Sequence, residues 1–272
     1  MSRVEVIVAT MHQKDFSLFK KMNIQTDVIF CNQCDENKFE ETEIDGCRVR
    51  MLSTNTRGSS VNRNLGMQIS KAEICIFADD DVTYFDGYEK MICDAFDKYK
   101  KPVIIFNFES SGRSKMSNYT KKNAITKRTF GAPRIAYKNA SIEKQSICFC
   151  NVFGAGAKYS CGEDSLFCRL LHKNKNKFFR VTTVIGNIHY GESTWFNGYT
   201  DKYFFDKGAL YKAAYPRNWR LLKYYYIFNE FKDSKKRLCN IIKLYNDGAN
   251  AFKLNMSYDE YYEGNKDKKC KH

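Results

Sequence analysis

The apolar run Ile74-Cys75-Ile76-Phe77-Ala78 ends abruptly at Asp79-Asp80-Asp81. Five apolar residues with β-branched members read as a buried strand. The switch to carboxylates marks the carboxyl end of that strand. In open α/β sheets, ligands bind in the crevice just outside such ends. Three like charges side by side repel and need a counter-charge, which a divalent cation carrying a phosphate supplies. Mg²⁺ and Mn²⁺ favour oxygen ligands, and Mg²⁺ typically uses one or two carboxylates plus substrate phosphates. The bland alternative is a solvated acidic turn.

The flanking sequence repeats a strand–helix rhythm. Val4 to Ala9, Asp27 to Cys31 and, more weakly, Arg48 to Leu52 read as strands. Ser60 to Ser70 reads as a helix, with Val61, Leu65 and Ile69 at four-residue spacing and Ser59 or Ser60 as its cap. Tyr88 to Tyr99 is a second helix, with Met91, Ile92, Ala95 and Phe96 on one face. Pro102 stops it, and Val103 to Phe108 is another strand. This alternation predicts an α/β fold built on a mostly parallel, helix-covered sheet. Residues 109–146 are polar and basic with weak periodicity and are expected to form a mobile loop over the site. Gly162-Glu163-Asp164 opens a helix reaching about His172, and Val181 to Ile188 is a late strand ending at His189. From Tyr203 the chain reads as helical. The expected organisation is a nucleotide-binding sheet domain over 1–200 and a helical, basic and aromatic extension over 201–272.

Apolar residues make up 43% of the 272 residues, enough for a sizeable core, and the net charge is +14. That excess favours anionic partners: nucleotides, anionic lipid surfaces or nucleic acid. No nucleic-acid module is recognisable, so nucleic acid is not expected as a partner. No apolar run reaches the length of a spanning helix. The opening MSRVEVIVATMHQKD lacks the features of a secretory signal, so a cytoplasmic location is expected. Eleven cysteines, an odd number, then read as reduced thiols. Cys31 and Cys34 read as packing residues rather than half of a zinc site.

Four elements carry candidate chemistry. The aspartate triplet is the first. The second is Arg57-Gly58-Ser59-Ser60-Val61-Asn62-Arg63-Asn64, a glycine turn with serines and arginines at a helix start, where backbone N–H groups and the helix dipole attract phosphate. The third is Gly162-Glu163-Asp164, read either as a pair of carboxylates satisfying the helix dipole or as the source of a general base. The fourth is His189, followed by a glycine turn, a position suited to metal or phosphate contact.

In this order, RGSSVNRNLG, ICIFADDDV, GEDSLF and, more weakly, HYGES resemble glycosyltransferase family 2, with its GT-A fold. The resemblance covers about residues 1–195. It implies metal-dependent, inverting transfer of a sugar from a nucleotide-sugar, here a UDP-sugar, to a glycan or lipid-linked acceptor, as in bacterial surface polysaccharide synthesis. Carried over, Asp79 lies near the ribose, Asp81 holds Mn²⁺ or Mg²⁺ on the diphosphate, and Asp80 shares that work. Asp164 is the base, while Arg63 faces the nucleotide and Thr10 sits by the base or ribose. Arg57 and Asn64 join the nucleotide-binding set, and His189 the metal set. Family members often carry an acidic residue soon after the second strand. Here the stretch is Cys31-Asn32-Gln33-Cys34-Asp35-Glu36, where Asp35 takes that place only loosely. Acceptor selection is expected from loops over 109–146 and 190–215.

The C-terminal third interleaves aromatics with Lys and Arg. Trp219, Leu222, Tyr226 and Phe231 are expected to share one helix face, with Arg217, Arg220 and Lys223 nearby. Such a region reads either as helices packing on the sheet domain or as a basic surface lying on an anionic membrane. Two alternatives to a transferase stand. Asp79-x-Asp81-x-Thr83 also resembles the haloacid-dehalogenase phosphatase motif, in which the first Asp is a nucleophile. The other is a non-enzymatic basic membrane-surface binding protein.

Overall fold

The computed structural model describes residues 2–111, 124–126, 130–176, 178–189, 198–231, 234 and 236–269. The chain divides into two compact units, residues 1–149 with 167–192, and residues 150–166 with 193–272.

The first unit is built on a ten-stranded sheet. Its strands are β1 (Val4–Met11), β2 (Asp27–Gln33), β3 (Lys38–Ile44), β4 (Cys47–Thr54), β5 (Ile74–Asp79), β6 (Val82–Tyr84), β7 (Val103–Ser111), β8 (Ala124–Thr126), β9 (Ile135–Lys138) and β10 (Phe178–His189). They run in the order β3-β4-β2-β1-β5-β9-β7-β10-β6, with β8 paired to β10. Strands β4, β2, β1 and β5 are mutually parallel. β9 is antiparallel to both of its neighbours, β5 and β7.

Both sheet faces are buried, which is why β1, β2 and β5 read as unbroken apolar runs. Val4, Val6, Val8, Phe30, Ile76 and Phe106 point into one core layer. The helix α1 (Leu18–Lys21) and α3 (Tyr88–Tyr99) cover that layer through Leu18, Phe19, Ile92 and Phe96. Ile7, Ile29, Phe77, Ile105 and Tyr137 point into the other. There they meet α2 (Ser59–Ile69), the short α4 (Asn139–Glu143), and Phe167 and Leu171 of α5 (Glu163–Lys173). Phe149 and Phe167 stack with ring centroids 4.1 Å apart. Glu5 and Arg50 form a buried ion pair, completed by Ser70 Oγ donating to Glu5 Oε2 at 2.6 Å and Arg50 Nη1 donating to the Ile69 carbonyl at 3.1 Å.

The second unit is helical: α6 (Asp201–Ala214), α7 (Trp219–Phe231), α8 (Leu238–Leu254) and α9 (Tyr258–Lys269). Phe205, Ala209, Leu210 and Ala251 pack with Phe153 and Tyr159. Asp206 on α6 is fully buried. Its Oδ2 accepts from Ser160 N at 2.9 Å, Ser160 Oγ at 2.6 Å and Lys202 Nζ at 2.7 Å. No helix among the described residues is long and apolar enough to cross a membrane. No disulfide joins the described cysteines.

The structure departs from the sequence expectations in several places. β3 was not anticipated: KFEETEI is largely exposed, so it carries no apolar periodicity. Its signal is the Asp45-Gly46 turn to β4, with φ of 53° and 76°. Within 109–146, expected as a loop, β9 is a central strand whose Ile135, Ala136 and Tyr137 are fully buried. Four residues are too few to show a period. Residues 201–214 of the expected acceptor loop over 190–215 form α6. Residues 190–197, which include the rest of HYGES, lie outside the described residues, as do 112–123 and 127–129. On α2, the expected cap is replaced by Gly58, at φ 113°, with no side-chain cap bond. The helix also buries Ser60, Asn62, Arg63 and Gly66, while Val61, Leu65 and Ile69 are only half-buried.

Candidate active site

That polar inner face of α2 organises the site. At Gly66 a β carbon would lie 2.4 Å from Ile7 Cγ2 and 2.8 Å from Cys31 Sγ, so only glycine lets the helix approach β1 and β2 this closely. Asn62 and Arg63 are thereby held against the carboxyl ends of the strands. Asn62 Nδ2 donates to the Cys31 carbonyl at 2.7 Å and the Thr10 carbonyl at 3.2 Å. Arg63 Nη2 donates to Asp79 Oδ1 at 2.7 Å, and its guanidinium lies 5.5 Å from the Phe149 ring centroid. Burial of Arg63 beside a half-exposed carboxylate is tolerable because the pair is hydrogen-bonded and stacked. Asn64 is turned elsewhere. Its amide donates to the Phe149 carbonyl at 3.0 Å and accepts from the Phe149 N–H at 2.8 Å, so it fixes the aromatic beneath Arg63.

β1 and β5 are parallel neighbours with Ala9 opposite Asp79, which brings the next residues together. Thr10 Oγ1 donates to Asp80 Oδ2 at 2.7 Å, and Gln13 Nε2 donates to Thr10 Oγ1 at 3.1 Å. The three aspartates are therefore unlike one another. Asp79 has an arginine and Asp80 has a hydroxyl. One carboxylate oxygen of Asp81 is buried with no hydrogen-bond partner. Burial first, then the charges of Asp79 and Asp80, push the Asp81 carboxyl up to about 6. β10 ends beside it: the His189 N–H donates to the Asp81 carbonyl at 2.9 Å, and His189 Nε2 lies 3.2 Å from Thr83 Oγ1.

Among the described residues, no group of three or more His, Cys, Asp or Glu is arranged to hold a metal ion. The orphaned oxygen of Asp81, under the charges of Asp79 and Asp80, fits instead a cation that brings its own phosphate ligands, since Mg²⁺ commonly takes only one or two protein carboxylates.

A polar cluster at the ends of β1, β2 and β4 escaped the sequence reading. Asn32 Nδ2 donates to the Gln13 carbonyl and to Ser53 Oγ, each at 3.0 Å, while its Oδ1 accepts from Gln13 N at 2.9 Å. Gln33 Oε1 accepts from Gly58 N at 3.0 Å. The signal for it is the Asn32-Gln33 pair closing an apolar strand. Arg57 lies at the exposed rim, bonded to Asp35 Oδ1 at 2.6 Å and the Cys34 carbonyl at 2.9 Å. Cys31 is a core residue, as expected for a packing thiol.

The structure thus brings together Thr10, Arg63, Asp79, Asp80, Asp81 and His189, and keeps Arg57 at the rim. Asp164 stands beside Glu163 in the first turn of α5, within the second unit.

A mixed sheet of this order, helix-covered and with carboxylates at the end of β5, is the GT-A glycosyltransferase fold. Residues 28–160 match the sequence model of Glycosyl transferase family 2. Among solved structures, S. aureus TarS 1-349 in complex with UDP-GlcNAc aligns with a TM-score of 0.60 at 13% identity, covering 95% of this chain and 93% of that one. The same TarS piece in complex with UDP aligns with a TM-score of 0.54 at 14% identity, covering 96% and 77%. In a longer TarS structure the match spans 46% of that chain, with a TM-score of 0.55 at 14% identity and 96% of this chain covered. No curated protein matches the chain. The phosphatase alternative needs Asp79 as a nucleophile, but Asp79 is ion-paired with Arg63 on a GT-A fold.

Proposed function

We propose that this protein is an inverting, metal-dependent hexosyltransferase of family 2. It takes a sugar from a UDP-sugar and delivers it to a hydroxyl of a glycan or lipid-linked acceptor, in bacterial surface polysaccharide synthesis at the cytoplasmic face of a membrane. The observation that carries the reading is the partnerless, buried oxygen of Asp81 at the end of β5. The family match over 28–160 and the UDP-GlcNAc held by the similar TarS structure support it.

Asp81 would hold Mn²⁺ or Mg²⁺ against the diphosphate, with Asp80 beside it and His189 as a further ligand. The cation would supply positive charge where negative charge develops on the leaving diphosphate. Asp79, oriented by Arg63, would face the ribose, and Thr10 would fix Asp80. Arg57 and Asn64 would complete the donor site, Asn64 through Phe149. Asp164 would take the acceptor's hydroxyl proton as that oxygen attacks the anomeric carbon. The bond to the diphosphate oxygen breaks on the opposite face, its electron pair leaves with the diphosphate, and the configuration inverts.

The test is titration calorimetry with UDP in Mn²⁺ and then in EDTA, for wild type, Asp81→Ala and Asp164→Asn. Metal-dependent binding abolished by Asp81→Ala and retained by Asp164→Asn, with transfer from a UDP-sugar lost in both, is the expected pattern. Absence of binding to UDP, GDP and other nucleotides alike would overturn the reading.

A further inference from the structure

Helix α7 has two apolar faces. Trp219 and Ile227 are buried on one, with Leu222 and Tyr226 half-buried beside them. Lys223 is turned inward with them, its ammonium bonded to Asn246 and 5.3 Å from the Trp219 ring centroid. The opposite face carries Leu221, Tyr224, Tyr225 and Phe228, exposed by 78%, 53%, 67% and 65%. Their spacing of three, four and seven residues makes one continuous helical stripe. The described residues show eight exposed large apolar side chains in all, so half of them sit on this single face. Scattered singly, such residues need no account; gathered into a stripe, they mark a contact surface.

The chemistry of the stripe and its flank selects the occupant. Arg217 and Arg220 are exposed at its amino-terminal end, and from Tyr215 to Asn229 the sequence holds no Asp or Glu. Tyrosines with phenylalanine and leucine, bordered by arginine and free of acid, match the headgroup layer of an anionic bilayer, where amphipathic rings and cations both find partners. A protein partner would find few side chains to pair by charge beyond those arginines.

We infer that the outward face of α7 (Leu221, Tyr224, Tyr225 and Phe228, with Arg217 and Arg220) docks the protein on an anionic lipid surface. This deepens the membrane placement proposed above and names the residues that carry it. Of the face expected from the sequence, Trp219, Leu222 and Tyr226 are turned inward, so the docking face is the other one.

The experiment is cosedimentation of the full chain with phosphatidylcholine vesicles, with and without phosphatidylglycerol. It compares wild type, Tyr225→Glu/Phe228→Glu and Arg217→Glu/Arg220→Glu, each checked for fold by circular dichroism. We expect binding to the anionic vesicles only, weakened at least about tenfold by either double substitution. Anionic-vesicle binding equal in all three proteins, or none in wild type, would overturn the inference. A dimer in sedimentation equilibrium that Tyr225→Glu/Phe228→Glu converts to monomer would also overturn it, assigning the face to a second copy. UDP binding, measured in parallel, reads the transferase proposal separately, because no α7 residue belongs to the proposed nucleotide site.

Discussion

Thr10 Oγ1 lies 2.7 Å from Asp80 Oδ2, bridging the carboxyl ends of two adjacent parallel strands. Together with the Arg63–Asp79 pair, this contact leaves Asp81 as the acidic side chain of the triplet with an orphaned buried oxygen. Three consecutive aspartates thus acquire three electrostatic environments. Asp81→Asn should abolish Mn²⁺-dependent nucleotide binding while leaving the metal-free protein as stable as wild type at neutral pH, or more so. The substitution removes a charge that burial penalises, so calorimetry and thermal melts should move in opposite directions.

The raised Asp81 carboxyl also sets a pH dependence. Its value of about 6 lies above that of an unfolded aspartate. In the metal-free protein, ionising Asp81 therefore costs stability as pH rises from about 4 through 6, because the folded state holds the proton more tightly. A bound cation needs the ionised form. Mn²⁺ affinity should therefore fall as pH drops below about 6, approaching about tenfold per pH unit, and binding near pH 5 should release a proton. Titration in two buffers of different ionisation enthalpy checks both.

Arg63 is held by Asp79 on one side and Phe149 on the other. Arg63→Lys keeps the charge but not the planar fork, and the two residues are not interchangeable at a stacked site. Nucleotide affinity should fall in Arg63→Lys and further in Arg63→Ala. Asn64→Ala, which releases Phe149 without touching Arg63 directly, should give a smaller loss of the same kind. Equal affinity in all three would mean that this corner plays no part in binding.

Gly66→Ala should be disproportionately costly. Its β carbon would fall 2.4 Å from Ile7 Cγ2, inside any tolerable contact. A destabilisation of about 1–3 kcal/mol is expected from such overpacking, read by urea denaturation, with a parallel loss of UDP affinity as α2 is pushed off the strand ends.

The buried Glu5–Arg50 pair gives a stability test remote from the site. Removing one partner strands a charge, so Arg50→Met alone should cost about 3–5 kcal/mol. The double change Glu5→Gln/Arg50→Met should recover much of it, while UDP binding to the folded protein stays unchanged.

Much of this was legible in the sequence for physical reasons. β1, β2 and β5 lie in the sheet interior, and covering both faces leaves an apolar run that cannot be mistaken. The aspartates were legible because charge follows such a run without transition. What escaped was local structure whose reasons lie elsewhere in the chain. The four residues of β9 become a strand because β5 and β7 each offer it an edge. Asn62 and Arg63 point inward because Asp79 and two backbone carbonyls await them, which no helical period reports. Asn32 and Gln13 read as ordinary polar residues until folding places them against each other.

The position of β9 has a consequence for how the chain is made. Residues 4–81 contain β1, β2, β4 and β5, the three aspartates and the helix that serves them. The outer edge of β5 stays unpaired until Ile135–Lys138 has been synthesised, and the strand that then fills it also pairs with β7. Open apolar strand edges template unwanted pairing, and long-range closure is slow. A nascent chain therefore carries its acidic centre on an unfinished sheet for more than fifty residues of translation. Over that interval no native strand covers the outer edge of β5.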